Sequence, residues 1–265
     1  MVHKMDQGGT MVDLHCHILP GIDDGAKNIE ASIEMANMAV KQGITHILCT
    51  PHHNNGKYDN SAGKVISCVA ALQNELDQRQ IPLALFEGQE VRIGGNLLEQ
   101  IQSNDILFVD LANRYILIEF PTNEIPAYAE PLFQKLIEQG HTPIIVHPER
   151  NSKFIENPNK LLPFLEMGVL TQLTAPSYVG IFGKKIEQTA KKMVENNLVY
   201  MLASDAHNVE KRGFFMKKAY EAIARDVGEE TVNAMQQMAK DILNGDDVSR
   251  PNFSPIKARK FNLFF

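Results

Sequence analysis

MVDLHCHI, Met11 to Ile18, is the stretch on which the reading of the chain turns. Its apolar residues read as a strand, and side chains on a strand alternate between faces. His15 and His17 therefore share one face, while Cys16 points the other way, into an outer layer. Asp13 can at most support a ligand from behind. Two imidazoles at one strand end are either a polar patch with local partners or one side of a metal site. The rest of the chain has to decide.

Six further apolar runs follow: ITHILCTPHH (44–53), LALFEGQEVRI (83–93), YILIEF (115–120), TPIIVHPER (142–150), LTQLT (170–174) and LVYMLASDAH (198–207). Between them, apolar residues recur at helical spacing over 28–43, 62–79, 95–103, 126–140, 157–168 and 180–196. Two more helices are predicted at the end, over 212–225 and 229–243. Strand and helix alternating in this way predict an α/β fold with a parallel sheet and helices outside. Polar residues sit repeatedly at the carboxyl ends of the strands, where α/β barrels place their sites. That favours a TIM-like barrel of seven strands over an open sheet. Residues 1–10 show no periodicity and read as a leader or extension, residues 11–250 as one barrel domain, and residues 251–265 as a tail.

Composition narrows the function classes. The chain has 265 residues, 44% hydrophobic and 22% charged, and is long enough to bury a core without staples. Three cysteines build no disulfide framework and fit a reducing, cytoplasmic setting. No apolar run approaches the roughly 20 residues of a membrane span. A net charge of −6 argues against a nucleic-acid partner. The oligomeric state is not legible.

The strand ends carry the chemistry. His52 closes the second strand and His147 the fifth, and Asp205 and His207 repeat a two-residue spacing at the end of the seventh. Asp23, Asp24, Glu90 and Glu119 supply carboxylates between them. Any one strand-end histidine is most often a satisfied polar residue. Several such ends converging on one mouth would bury charges that need partners, and that points to metal. His46, His53 and His141 lie outside the pattern. Imidazole and carboxylate donors suit Mn2+, Fe or Zn. So many donors imply two or three ions, which can activate a water and hold phosphoryl oxygens. Arg150 and Arg212 follow two of these strand ends and offer planar forks to a phosphate. A cysteine-based phosphatase is excluded, because the residues six beyond each cysteine are Ile22, Asn55 and Asn74 rather than arginine.

In this order DLHCH, TPHH, GQE, IEF, HPER and SDAH resemble the polymerase and histidinol phosphatase (PHP) superfamily. DLHCHILPGIDDGAKN, TPHHNNG, GQEVRI, YILIEFP, PIIVHPERN, GIFGK and ASDAHN look like its manganese-dependent bacterial protein-tyrosine phosphatases of the capsule- and exopolysaccharide-regulating (YwqE-like, CpsB-like) type. The resemblance implies a distorted (β/α)7 barrel of PHP type and three metals. It assigns His15, His17, Glu90 and Asp205 to a first ion. Glu90 bridges to a second, completed by Glu119 and His147, and Asp24, His52 and His207 hold a third. Arg150 and Arg212 match phosphate-contacting positions. Mn2+ is the implied metal, with Fe, Zn, Co or Mg as substitutes. The implied reaction is attack of a metal-activated hydroxide on the phosphorus of phosphotyrosine. The implied partner is an autophosphorylated bacterial tyrosine kinase. LTAPSYVGIFGKK departs from the serine- and glycine-rich turn of relatives, and Pro176 removes a backbone donor there.

Three other readings stay open on the residues alone: a histidinol-phosphatase-like small-molecule enzyme, a nuclease-like module, and a catalytically silent metal-binding scaffold. The tail, with Lys257, Arg259 and Lys260 before FNLFF, reads as a segment packed on the barrel or disordered, or as a basic-aromatic docking element.

Overall fold

Among the described residues every strand pairing is parallel. A computed structural model describes residues 9–257. Residues 1–8 of the expected leader, and the tail beyond Lys257, lie outside the described residues.

The first half of the described chain runs β1 (Met11–Cys16), α1 (Ile29–Lys41), β2 (Ile44–Cys49), β3 (His52–His53), α2 (Ala62–Gln78), β4 (Ala84–Glu87), β5 (Glu90–Arg92), α3 (Leu97–Gln102), β6 (Tyr115–Glu119) and α4 (Ala129–Glu138). The second half runs β7 (Thr142–Val146), α5 (Ser152–Glu156), α6 (Leu162–Met167), β8 (Leu170–Thr174), α7 (Ala175–Tyr178), α8 (Lys184–Glu195), β9 (Met201–Ala203), α9 (Met216–Val227) and α10 (Glu229–Asn244). One sheet has the order β1-β2-β4, the other β3-β5-β6-β7-β8-β9. Strands such as Ile116–Ile118 and Ile144–Val146 are buried on both faces, so they read as unbroken apolar runs.

All seven expected strand segments form, in order, but as nine strands in two sheets. Two segments bend. The first bends at Thr50 and Pro51, and Pro51 has no N–H to continue a ladder. The second bends at Gly88 and Gln89. The Gln89 side chain is buried and turns away to bond the carbonyl of Asn60 and the amide of Leu107. At one side the two sheets meet through the bridge Cys16 to Ala206, flanked by Asp205 N–H to the His15 carbonyl at 2.8 Å and His17 N–H to the Ala206 carbonyl at 2.9 Å; at the other they join at the bends, through Gly88 N–H to the Cys49 carbonyl at 3.0 Å and Glu90 N–H to the Pro51 carbonyl at 3.1 Å. The joint between the first and last strands is thus made at the two metal-ligand-type motifs themselves.

Three helices differ from expectation. The helix expected over 157–168 is a 3-10 turn, Pro158–Leu161, followed by α6 with a proline in its first turn. The one expected over 180–196 starts only at Lys184, after a turn. The one expected over 212–225 starts at Met216, because the Arg212 carbonyl accepts from the amides of His207 and Asn208 and closes a loop. Pro176 costs nothing here: it lies in the first turn of α7, where an N–H has no helical partner. Residues 252–256 bond to the body through Asn159, Asn196 and Asn197.

Asp13 locks the joint from behind. Its buried carboxylate accepts from Ser204 N at 2.9 Å, Ser204 Oγ at 2.5 Å and His15 N at 3.3 Å. Burial pushes its pKa up to about 6, with the Ser204 bonds working against that rise. Asp13→Ala strands the buried Ser204 amide and leaves its hydroxyl only the His15 carbonyl at 3.2 Å, so it should cost about 2–4 kcal/mol in urea unfolding. A variant as stable as the parent would show that the joint does not depend on this carboxylate.

Candidate active site

The end of β1 supplies the first two ligand candidates with their orientation already set. His15 Nδ1–H donates to Gln172 Oε1 at 2.8 Å, and His17 Nδ1–H donates to Asp23 Oδ2 at 2.7 Å. Each ring therefore turns Nε2 inward, and the two Nε2 atoms lie 3.1 Å apart. The aspartate pair is held against β1 by Gly25. A Cβ there would lie 2.0 Å from the His17 carbonyl oxygen, so only glycine permits the approach. Asp23 faces back to His17, and Asp24 faces His52 and His207 at 3.3 and 3.4 Å.

The remaining donors close on the same centre. Glu90 Oε2 lies 2.8 Å from His52 Nδ1 and 3.4 Å from both inward nitrogens of β1, and Glu90 Oε1 lies 2.7 Å from His147 Nε2. Asp205 Oδ1 is 3.2 Å from His17 and 3.5 Å from His15. Glu119 Oε2 is 3.7 Å from His52 Nδ1. The His17 and His207 rings stack at 3.8 Å. His147 and Asp205 both have left-handed backbones, φ 37° and 50°, a strained state for such residues that is found where function demands a particular aim.

These nine side chains, His15, His17, Asp24, His52, Glu90, Glu119, His147, Asp205 and His207, thus share one mouth. The donors fall into three overlapping groups: His17, Asp24, His52 and His207; His15, His17 and Asp205; and His52, Glu90 and Glu119. The partition differs from the one the resemblance implies. His17 and His52 are each shared between two groups, and His147 joins only through Glu90. The donors fit divalent ions on a structural ground. His52 Nδ1, Glu90 Oε2 and His207 Nε2 are buried without a hydrogen-bond partner and Glu119 Oε2 has only an ion pair with Arg92, although donor atoms stand within 2.8–3.7 Å of one another. Buried polar atoms that converge without bonding each other are costly unless something sits among them.

Both expected arginines reach this mouth. Arg150 pairs with Asp205, and Arg212 Nη1 lies 3.0 Å from Asp24 Oδ2. A cleft of about 310 Å³ beside Asp24 and His207 opens the cluster to the surface.

Residues 11–244 match the family model for capsular polysaccharide synthesis, CpsB/CapC. The chain belongs to the CpsB/CapC family. It is 42% identical over 255 residues to the tyrosine-protein phosphatase YwqE of Bacillus subtilis, covering 96% of this chain and all of that protein. It is 37% identical to CapC of Staphylococcus aureus over 240 residues, 91% of this chain and 94% of the relative. A crystal structure described as YwqE from Bacillus subtilis and CpsB from Streptococcus pneumoniae, metal-dependent tyrosine phosphatases, superposes with a TM-score of 0.90 at 41% identity. The match covers 94% of this chain and 100% of that one.

The charges of this CpsB/CapC member divide sharply across the cluster. Burial disfavours the His52 cation, but Glu90 and Asp24 hold its pKa up to about 10. Burial also opposes charge on His17, and Asp23 leads the groups that hold it well above the usual imidazole range. Burial pulls His147 and His207 down to about 4, helped by Arg150 at the first and His17 at the second. Glu90 and Asp205 stay far below the usual carboxylate range despite burial, held by His52 and Arg150 respectively. Burial and the Glu90 charge lift Glu119 to about 7, against Arg92.

Sequence reasoning missed the supporting residues. Arg92 Nη2 holds Glu119 Oε2 at 3.0 Å, and its signal was the two-residue spacing from Glu90 on one strand. Gln172 stood out as a polar residue inside an apolar strand. Glu149, fully buried in HPER, accepts from Thr174 N at 3.1 Å. The histidines outside the pattern lie outside the cluster too. His53 is buried against Asp59 and Gln100, His46 stacks on Phe86, and His141 bonds the Asn113 carbonyl. Among the described residues no cysteine belongs to a donor group.

Asp23→Ala frees the His17 ring without removing a donor from the three groups. It should weaken metal binding about 10- to 100-fold, measured by competition with a chromophoric chelator. Unchanged affinity would mean that Asp23 does not orient His17. Chelation of the parent protein should lower its thermal midpoint, and added Mn2+ should restore it, the midpoint rising with the logarithm of free Mn2+ once the sites fill.

Proposed function

We propose that this protein is a metal-dependent protein-tyrosine phosphatase that hydrolyses phosphotyrosine in protein substrates. Its physiological substrate on this reading is an autophosphorylated bacterial tyrosine kinase controlling capsular or exopolysaccharide synthesis. The observation that carries the reading is the coincidence, at one mouth, of three overlapping donor groups with two arginine forks. The similarity to YwqE over the full length of that phosphatase supports the substrate class. Mn2+ is the proposed ion, two or three per chain, with Fe, Zn, Co or Mg as substitutes; the nitrogen and oxygen donors suit these hard to borderline cations. The ligands proposed are the nine side chains of the cluster.

When bound, such ions would lower the pKa of a water towards neutrality and offset phosphate charge. The chain's own contribution is positioning. Arg150 and Arg212 present planar forks to the non-bridging oxygens of phosphate. Asp205 and Asp24 fix where those forks lie. Glu90, bonded or close to four imidazoles, keeps the three donor groups in register. A tyrosine phenolate has a pKa near 10 and departs without a strong acid, so the site has less need of a dedicated proton donor than one acting on alkyl esters.

Three further assignments belong to this reading. The two sheets act as one distorted seven-stranded (β/α)7 barrel closed at the Cys16–Ala206 bridge. Residues 11–250 form a single catalytic domain. The protein works in the cytoplasm; no helix among the described residues is long and apolar enough to cross a membrane, and a kinase-tail substrate would be met there.

With Mn2+ present, the protein should release phosphate from p-nitrophenyl phosphate and from a phosphotyrosyl peptide. No turnover after metal loading would overturn the enzyme reading, and a preference for histidinol phosphate would overturn the tyrosine one. Arg150→Ala should keep its metal and lose about 100-fold in kcat/KM, whereas His15→Ala should lose metal and activity together. An Arg150→Ala enzyme with parental kinetics would show that the phosphate does not bind at this fork.

A further inference from the structure

Two half-exposed aromatic side chains border the cluster, and the chemistry above uses neither. Tyr58 follows β3, and its ring lies within 7° of parallel to that of His52, with centres 6.1 Å apart. Phe182 follows α7, and the Arg150 guanidinium carbon stands 5.4 Å from the centre of its ring. In the six-stranded sheet β3 is one edge strand and β8, which leads into α7, is next to the other edge. The two rings thus reach the mouth from separate sides.

Both are held in place by the chain around them. The GIFGK turn is built on Gly180 and Gly183, at φ 80° and 96°, backbone states that glycine adopts without strain. Amide bonds from Ile181 to the Pro176 carbonyl and from Gly183 to the Gly180 carbonyl fix Phe182 between them. Tyr58 N–H donates to Asn55 Oδ1 at 2.8 Å, Asn55 N–H returns to the Tyr58 carbonyl, and Asn60 Nδ2 ties the loop to the His52 carbonyl at 2.7 Å. Neither ring takes part in the hydrophobic core. Burial in that core is therefore not what keeps an aromatic at either position.

In an aryl phosphate the ring begins one bridging oxygen from phosphorus. A residue that binds the ring must therefore stand about one ring's width beyond the group that binds phosphate. The Phe182 ring centre stands 5.4 Å from the Arg150 guanidinium carbon, a separation on that scale. Aromatic pairs settle with centres roughly 4.5–7 Å apart, a contact that the flexible carbon of an alkyl phosphate does not make. A guanidinium lying over Phe182 is also restrained in its fork geometry, so one ring can both aim the clamp and meet the leaving group.

We propose that Phe182, with Tyr58 as a second wall, recognises the aromatic ring of the phosphate ester and makes aryl phosphates the substrate class that this site selects. The inference rests on the phosphatase reading of the same mouth. The test uses two probes that the enzyme does not hydrolyse, benzylphosphonate and ethylphosphonate, in which a methylene stands in for the bridging oxygen and which differ in the ring. Their dissociation constants are measured calorimetrically on the manganese-loaded protein. The parent should prefer benzylphosphonate. Phe182→Ala should reduce the ratio of the two affinities about tenfold, Tyr58→Ala should reduce it in the same direction, and Phe182→Tyr should restore it. Equal affinities in the parent, or an unchanged ratio in Phe182→Ala, would overturn ring recognition. Because the probes are inert, absence of turnover on phosphotyrosyl peptide would count against the phosphatase reading alone and leave the ring preference measurable.

Discussion

Everything at the mouth of this fold depends on an electrostatic constraint. Carboxylates and imidazoles are packed together with most of their donor atoms out of water, and several of those atoms bond to nothing. Left alone, Glu90, Glu119, Asp205 and the rings around them would repel or stay unsatisfied at a cost of several kcal/mol. The chain partly meets the constraint with three arginines, each paired to a cluster carboxylate. It leaves the centre to positive charge from outside. On the proposed function the same residues would serve two ends: Arg150 and Arg212, which restrain carboxylates, would meet a phosphate, and the unbonded donors would take the cations.

The fold serves that centre by bringing its two ends together there. β1 and the segment after β9 touch at Cys16 and Ala206, and each side of this contact carries ligand candidates: His15 and His17 on one, Asp205 and His207 on the other. Asp13 binds the Ser204 amide and hydroxyl one residue before Asp205. Damage to this joint therefore reaches the site directly. The tight approach of Gly25 to His17 extends the same logic to the aspartate loop, which cannot move without moving the end of β1.

Much of this was legible before any coordinates. The two-residue spacings in DLHCH and SDAH state which side chains share a face, and Pro51 already marks a strand end. The order of strand and helix states the parallel topology. What was not legible came from contacts distant in sequence. The bend at Gln89 depends on Asn60 and Leu107, and the loop before α9 depends on hydrogen bonds to the Arg212 carbonyl. The choice between Asp23 and Asp24 shows the boundary well. The resemblance already grouped Asp24 with His52 and His207, which it faces, but only the fold shows that Asp23 orients His17. The sharing of His17 and His52 between donor groups could not be read from spacing either, since it reflects how three separate loops meet.

The central claim is that cations, rather than a protein group, complete the cluster. Anomalous diffraction at the manganese edge, from crystals grown with Mn2+, tests it most directly. The account predicts two or three peaks, all enclosed by His15, His17, Asp24, His52, Glu90, Glu119, His147, Asp205 and His207. An anomalous map with no peak among these residues, or with manganese bound only elsewhere on the surface, would contradict it.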